Sequence, residues 1–224
     1  MLSCLLPSKL DPQYGLAGLA RLIRSFQENM SSPDAEVEMI VAVDYDDRET
    51  LRFCSDIKIV KIHRVSPGRS IVEYFNDLHL ISKGTHFLLL NDDCELMTPG
   101  FDVEACKVPQ GWYGKTICHS ADPFYSGLYA EFPVLTKSGV EAVGWLLPPT
   151  FRAWGADEVL WRMYNTANRI KDCEIKIRHL REIHGSRFAR MSKLSGEHSR
   201  ETIDTFPYGK FAAKLTASVQ NENA

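Results

Sequence analysis

Apolar residues in the first part of the chain alternate between strand-like and helix-like patterns. Residues 2–7, 37–43 and 57–63 form short apolar or alternating stretches, which indicate strands. Residues 15–30 carry apolar side chains at helical spacing, which predicts an amphipathic helix between the first two strands. Because the stretch at 57–63 alternates, we expect that strand to lie nearer to an edge of the sheet.

A second helix and a fourth strand follow. Residues 66–84 are typical of a helix, with Ser66 as the candidate N-cap and Gly84 as the candidate residue just past its end. The stretch HFLLLN at 86–91 does not alternate, which indicates a strand buried on both faces. The resulting β-α-β-β-α-β order predicts an α/β fold with a mostly parallel central sheet flanked by helices.

The second half of the chain has weaker patterns. Residues 156–170 predict a helix, and residues 173–180 alternate like a strand. After about residue 200 the pattern fades, so we expect one domain over residues 1–200 and a C-terminal tail over residues 201–224. A chain of 224 residues is long enough for one domain with a substantial core.

Composition and charge exclude several classes of protein. The net charge of −3 does not suit a general binder of polyanions. None of the six cysteines forms a CxxC pair, which excludes a zinc knuckle or a thioredoxin-like site and suits a reducing compartment. There is no signal-peptide pattern at the N-terminus and no apolar window approaching the ~18 residues of a membrane span, so we expect a cytoplasmic protein without a transmembrane segment.

Polar and acidic residues follow three of the predicted strands. These segments are PSK at 7–9, DYDD at 44–47 and NDD at 91–93. In mostly parallel sheets, ligands bind outside the carboxyl ends of the strands. If the strands are neighbours, the three segments meet at one rim of the sheet and form a candidate binding site.

The adjacent carboxylates of Asp92 and Asp93 need a positive partner, because like charges repel and are costly to remove from water. A bound Mg²⁺ or Mn²⁺ reverses that cost, and such a site leaves positions open for phosphate oxygens. The sequence has neither GxGxxG nor GxxxxGK[ST], so phosphates would be held by the metal and by basic side chains. The alternative is that NDD is only a surface turn.

The order of these motifs resembles the GT-A type of nucleotide-sugar glycosyltransferase, in particular its family 2-like members. The resemblance rests on five segments and a late histidine in REIHGS: LLPSK, VAVDYDD, FLLLNDD, GLYAEFPVLTKSGVEAVGWL and WGADEVLW. It implies a single-domain, Rossmann-like GT-A fold. It also implies a metal-dependent transfer of a sugar from a nucleotide sugar, with a UDP-sugar favoured, to an acceptor hydroxyl, with inversion.

The resemblance further implies a role for each matching residue. The nucleotide would be bound by Pro7, Ser8, Lys9, Asp44, Asp46 and Asp92. Asp93 and His184 would hold Mn²⁺ or Mg²⁺, with His179 as the alternative to His184. Asp157 would be the general base, with Glu158 as the substitute, because the pair is Asp-Glu here and commonly Glu-Asp in the family.

Other functions remain open. A nucleotidyltransferase acting on a sugar phosphate shares a related layout, but its first loop is usually rich in glycine and basic residues, whereas SKLDPQYGLAG has a single lysine. A third hypothesis is a catalytically inactive nucleotide-sugar-binding module. The acid pair at 157–158 can also be a helix cap, in which case the base would come from elsewhere, such as His119 or Asp122.

The acceptor is the least specified partner. A glycan is one candidate. The excess of basic residues between Arg169 and Arg200 suggests a polyanion as another, for example a modified nucleic-acid base, although no known nucleic-acid-binding motif accompanies it.

Overall fold

The structure is a computed structural model that describes residues 1–10, 15–120, 127–152, 155–180 and 200–222. Eight strands are present in these residues: β1 Leu2–Ser8, β2 Val37–Asp44, β3 Val60–Val65, β4 His86–Leu89, β5 Cys94–Leu96, β6 Tyr113–Ser120, β7 Val134–Thr136 and β8 Ile170–His179. The helices are α1 Ala17–Asn29, α2 Arg48–Ser55, α3 Ile71–Ile81, α4 Phe101–Ala105, α5 Lys137–Val143, α6 Ala156–Thr166, α7 Arg200–Asp204 and α8 Tyr208–Glu222. Among the described helices, none has both the length and the apolar character needed to cross a bilayer.

All eight strands belong to one sheet, in the order β3-β2-β1-β4-β7-β6-β8-β5. The half that contains β3, β2, β1 and β4 is parallel. In the other half β7 is antiparallel to both β4 and β6, β6 and β8 are parallel, and β5 is antiparallel to β8. The predicted α/β fold with a mostly parallel central sheet is confirmed, and β3 lies at the edge as expected.

The sheet has a hydrophobic core on each face. The core on one face includes Leu22 and Phe26 of α1 together with Phe101 of α4. The opposite core contains residues of α3, α5, α6 and the C-terminal helices. In β4, Leu88 belongs to the first core and Leu89 to the second, which explains why this strand shows no alternation of apolar and polar residues.

The predicted cap of α3 is wrong by one turn of helix. The helix begins at Ile71, and Ser70 is its N-cap because Ser70 and Glu73 form a reciprocal capping box. The competing serine at position 66 precedes proline and glycine and lies outside the helix. Gly84 does not cap the helix end either; its N–H donates to the Ser3 hydroxyl at 2.9 Å, and a Cβ there would come within 2.5 Å of that oxygen.

The acidic turn after β2 leads into a short helix that the sequence pattern did not predict. Asp47 is the N-cap of α2, since its side chain accepts from the N–H of Thr50 at 3.1 Å. Its other carboxylate oxygen accepts from the N–H of Leu10 at 2.7 Å. Asp47 therefore ties the segment after β1 to the end of β2.

Residues 200–222 form helices α7 and α8, which lie against α5 and α6. Ile203 and Leu215 are buried in the second core. Asp204 also forms an ion pair with Arg162 of α6, with 3.0 Å between the oxygen and the nitrogen. The domain boundary predicted after residue 200 stays a prediction, but the described part of this segment packs on the rest of the fold.

Glu38, near the start of β2, carries a buried carboxylate and is 3% exposed. It accepts from Ser3 Oγ at 2.6 Å, from Lys61 Nζ at 2.5 Å and from the N–H of Lys83 at 2.7 Å. Burial by itself raises the pKa of Glu38, but the hydrogen bonds from Lys61, Ser3 and Lys83 outweigh it, so this pKa lies below its usual value.

We expect Glu38→Gln to lower the free energy of unfolding by about 1–3 kcal/mol at pH 7, because it removes a buried, charged acceptor from three donors. Because the pKa of Glu38 is lower in the folded than in the unfolded protein, its stabilisation is fully present above the unfolded-state pKa of about 4.3. The stabilisation is lost as pH falls through the pKa of Glu38 in the folded protein. The difference between the wild type and the variant should therefore shrink below about pH 4. Urea unfolding at several pH values measures this.

The matched control is Glu36→Gln, because the Glu36 side chain is 87% exposed. It should change the free energy of unfolding by less than about 0.5 kcal/mol. Equal effects of the two variants would contradict the role assigned to Glu38.

Candidate active site

The carboxyl ends of β1, β2 and β4 meet at one rim of the sheet. The strands are parallel neighbours in register, with Ser8 beside Val43 and Leu5 beside Leu89. The structure thus brings together the three segments that the sequence placed at strand ends. Most of the predicted nucleotide-binding residues lie on this rim.

Asp44 is buried at the end of β2, 2% exposed, and both of its carboxylate oxygens are engaged. Oδ2 lies 3.2 Å from Nζ of Lys9, and Oδ1 accepts from the hydroxyl of Tyr74 on α3. Burial, followed by the adjacent Asp44, raises the pKa of Tyr74, which keeps its hydroxyl protonated as a donor. Asp44 therefore holds the Lys9 ammonium, whose side chain is 60% exposed, at the mouth of the site.

Asp92 joins the β4 end to the β1 end. Its Oδ2 accepts from Ser8 Oγ at 3.0 Å and lies 3.4 Å from the backbone nitrogen of Lys9. Helix α1 comes close from the same side: a Cβ on Gly18 would lie only 2.6 Å from the backbone oxygen of Asp92. The absence of a side chain at Gly18 allows the helix to pack directly on the backbone of the NDD segment.

Asp93 faces His179, which is distant in sequence and lies at the end of β8. β8 pairs with β5 so that His179 lies opposite Cys94, and the N–H of Leu180 donates to the Asp93 carbonyl at 2.9 Å. Nε2 of His179 then lies 3.3 Å from Oδ1 of Asp93. Of the two histidines proposed from sequence, the structure places His179 beside Asp93, whereas His184 lies outside the described residues.

The other edge of the His179 ring meets Glu131, a residue that the sequence motifs did not single out. Nδ1 lies 2.7 Å from Oε2 of Glu131, and Sγ of Cys118 lies 3.2 Å from the same oxygen. Burial lowers the pKa of His179, but the carboxylates of Asp93 and Glu131 outweigh it and raise the pKa to about 9. One signal was available in the sequence: a lone glutamate among apolar residues at 130–135 needs a polar partner when it is buried.

The acid pair at the start of α6 divides into two different environments. Glu158 is engaged in an ion pair with Arg162 at 2.7 Å, and Arg162 is also held by Asp204. Asp157 accepts from the N–H of Glu158 at 2.9 Å. Burial raises the pKa of Asp157 to about 6; the Glu158 N–H opposes the shift, and the charge of Glu131 adds to it.

Asp157 therefore has a raised pKa that suits a base, and the charge of Glu131 contributes to that shift. The remaining candidates are placed less centrally. Pro7 is half-buried in β1, and Asp46 is exposed on the turn after β2. His119 is exposed on β6, and Asp122 lies outside the described residues.

No protein-family model matches the chain, and no curated protein matches it in sequence. Its structure is similar to that of TarS from Staphylococcus aureus, a GT-A-type glycosyltransferase. The match to TarS residues 1–349 has a TM-score of 0.61 at 12% identity and covers 79% of this chain and 59% of that one. The match to TarS itself has a TM-score of 0.63 at 11% identity and covers 89% of this chain and 44% of that one.

A third match is to TarS 1–349 in complex with UDP, with a TM-score of 0.59 at 12% identity, covering 97% of this chain and 70% of that one. This chain has a fold similar to that of the GT-A glycosyltransferases. At these identities the likeness shows the fold alone, and the chain spans 59% and 44% of the length of the first two TarS structures. Membership of family 2 stays a prediction.

The close packing of α1 on the NDD segment leads to a test. We expect Gly18→Ala to lower the free energy of unfolding by about 1–3 kcal/mol, because the new methyl group must displace the backbone of Asp92. The amide resonances of residues 92–94 should shift in the same variant. Urea unfolding and amide NMR spectra measure the two effects.

Gly209→Ala is the matched control, because Gly209 is also in a helix and a Cβ there meets no atom within 4 Å. That variant should be neutral or more stable, by up to about 1 kcal/mol, since alanine favours helix more than glycine does. Stabilisation of similar size by Gly18→Ala would show that α1 does not press on Asp92.

Proposed function

We propose that the chain is a metal-dependent glycosyltransferase that moves a sugar from a nucleotide sugar, with a UDP-sugar favoured, to an acceptor hydroxyl with inversion. The observation that supports this most is the meeting of Asp93 and His179 at the carboxyl rim of a sheet with a GT-A-like fold. The structural similarity to a UDP complex of TarS supports a uridine nucleotide as the donor's leaving group.

The donor atoms of Asp93 and His179 fit a divalent cation. Two cis ligands of an octahedral ion with bonds of about 2.1 Å lie roughly 3 Å apart. Oδ1 of Asp93 and Nε2 of His179 are 3.3 Å apart. A carboxylate together with an imidazole suits Mn²⁺ better than Mg²⁺, which prefers oxygen ligands.

The rim residues provide complementary contacts for a nucleoside diphosphate. Lys9 offers an exposed ammonium group, anchored by Asp44, to phosphate oxygens. The Ser8 hydroxyl and the carboxylate of Asp92 offer hydrogen-bonding partners for ribose or base, and the buried Asp44 contributes by holding Lys9 in place. The bound cation would neutralise the charge that develops on the departing diphosphate.

Asp157 is the residue that we assign as general base. An inverting transfer requires a group that removes the proton from the attacking acceptor hydroxyl. A carboxylate with a pKa of about 6 is mostly ionised at pH 7 and still basic enough to accept a proton. Glu158 serves less well, because its charge is already paired with Arg162 at 2.7 Å.

The donor proposal is tested by calorimetric titration of UDP and UDP-sugars with Mn²⁺ and with EDTA. Binding should require the metal. Asp93→Asn should reduce the Mn²⁺-dependent affinity by at least about 10–100-fold, the range seen when a group that merely supports a ligand is lost. Asp34→Asn is the control, because Asp34 is exposed in the segment before β2 and so lies at the amino end of that strand, away from the carboxyl rim.

Equal UDP affinity in Mn²⁺ and in EDTA would contradict the metal dependence. Release of diphosphate from a nucleoside triphosphate in the presence of a sugar phosphate would assign the nucleotidyltransferase alternative instead. Binding of a UDP-sugar without any transfer or hydrolysis would favour the inactive binding module.

The base assignment predicts a pH profile. Asp157→Asn should cut turnover by roughly 10²–10⁴-fold while leaving UDP affinity nearly unchanged, whereas Glu158→Gln should have a much smaller effect. Because the pKa of Asp157 is raised to about 6, the base becomes protonated below that pH, and kcat/KM should fall as pH drops through about 6. Hydrolysis of the donor serves as the assay until an acceptor is identified.

A stronger effect of Glu158→Gln than of Asp157→Asn would move the role to Glu158. If neither variant slows the reaction by more than about tenfold, the acid pair is a helix cap and the base lies elsewhere.

A further inference from the structure

We infer that Glu131 is a positioning residue that orients the His179 imidazole so that its Nε2 is presented to the cation at Asp93. This inference rests on the proposed function only in assigning a cation to that site. It adds a specific task for Glu131, which lies on the loop before β7 and 48 residues from His179 in the chain.

The His179 ring is fixed from three directions. Nδ1 lies 2.7 Å from Oε2 of Glu131, and Nε2 lies 3.3 Å from Oδ1 of Asp93. The ring of Phe132 packs edge-on against it, with 5.0 Å between centroids and an interplanar angle of 83°. Since His179 is also 3% exposed, the imidazole cannot turn without breaking contacts.

The contact with Glu131 determines which ring nitrogen keeps a proton. An ionised carboxylate only accepts hydrogen bonds, so the nitrogen that faces it must carry a proton. Glu131 therefore keeps the proton on Nδ1, and Nε2 offers its lone pair once the cation takes the place of the proton that faces Asp93. The same arrangement of a carboxylate behind a metal-binding histidine raises the basicity of the ligand and fixes its direction.

Cys118 supports Glu131 from the other side. Its Sγ lies 3.2 Å from the same Oε2, so the thiol can donate a second, weaker hydrogen bond to the carboxylate. The two donors together hold the carboxylate in one orientation. β6 and β8 pair in parallel, with Cys118 opposite Ile177, so the strand that carries His179 also lies next to the strand that carries the thiol.

Cys118, Glu131 and His179 could instead bind a metal ion themselves, since their ligand atoms all lie within 4.8 Å of one another. In that arrangement Nδ1 would be a ligand and could not donate to Glu131. The 2.7 Å contact between Nδ1 and Oε2 is the length of a charge-assisted hydrogen bond, which favours the positioning role.

The test measures Mn²⁺ binding to the full chain by electron paramagnetic resonance, first without nucleotide and then with UDP. Glu131→Gln should reduce Mn²⁺ affinity by about 10–100-fold, and His179→Ala by at least as much. If Glu131 acts through His179, adding Glu131→Gln to His179→Ala should cause little further loss. Full additivity of the two losses would overturn the proposal.

Two single variants complete the set. Glu141→Gln is the matched control, because Glu141 is exposed on α5 with 60% of its side chain accessible, and it should leave Mn²⁺ affinity unchanged. Cys118→Ser keeps a hydroxyl donor and should stay within about threefold of the wild type. A loss as large as that of Glu131→Gln would assign the metal to the Cys118–Glu131–His179 group and overturn the proposal.

A measurement without metal or nucleotide separates this inference from the proposed function. In protein labelled with ¹⁵N-histidine, the Nδ1–H proton of His179 should appear as a protected, downfield resonance that is lost or shifted upfield in Glu131→Gln. Its absence from the wild type would overturn the inference. If this resonance and the Mn²⁺ results are as expected while UDP fails to bind, the proposed function fails and the role of Glu131 stands.

Discussion

The concentration of negative charge at one rim of the sheet is the constraint on which the site depends. Asp44 and Asp92 are linked there through Lys9, and Asp93 and Glu131 through His179. Asp157 at the start of α6 is influenced by the charge of Glu131. Such a cluster is stable only where cationic groups or hydrogen-bond donors are interleaved with it. Lys9 and the hydroxyl of Tyr74 do this for Asp44, and His179 does it for Asp93 and Glu131.

The acid pair of α6 shows how two adjacent carboxylates acquire different chemistry. Arg162 lies one helical turn after Glu158 and is itself tied to Asp204 of the C-terminal segment. The Arg162 guanidinium therefore stabilises the charge of Glu158. Asp157 stays in a buried environment where its charge is less favourable. The C-terminal helices, through Asp204, help to keep this asymmetry in place.

Sequence patterns predicted the parallel half of the fold well, because β1, β2 and β4 are apolar runs that end in polar residues. They missed α2, whose polar residues show no clear periodicity, and they placed the α3 cap at Ser66 although Ser70 and Glu73 carry the stronger capping signal. Glu131 could not be linked to His179 from sequence. Their contact depends on the pairing of β8 with β5 and β6, a mixed arrangement that no local periodicity encodes.

The antiparallel pairing of β5 with β8 also has a consequence for the order of assembly. Strands β1 to β4 can pair as soon as the first 89 residues have left the ribosome, because all four strands lie within that stretch. Among the described strands β5 pairs with β8 alone, so its place in the sheet waits for the synthesis of β8 and closes a long loop at an entropic cost. The part of the rim that carries Ser8, Asp44 and Asp92 can thus form on a nascent chain, while His179 reaches Asp93 only after β8 has been made.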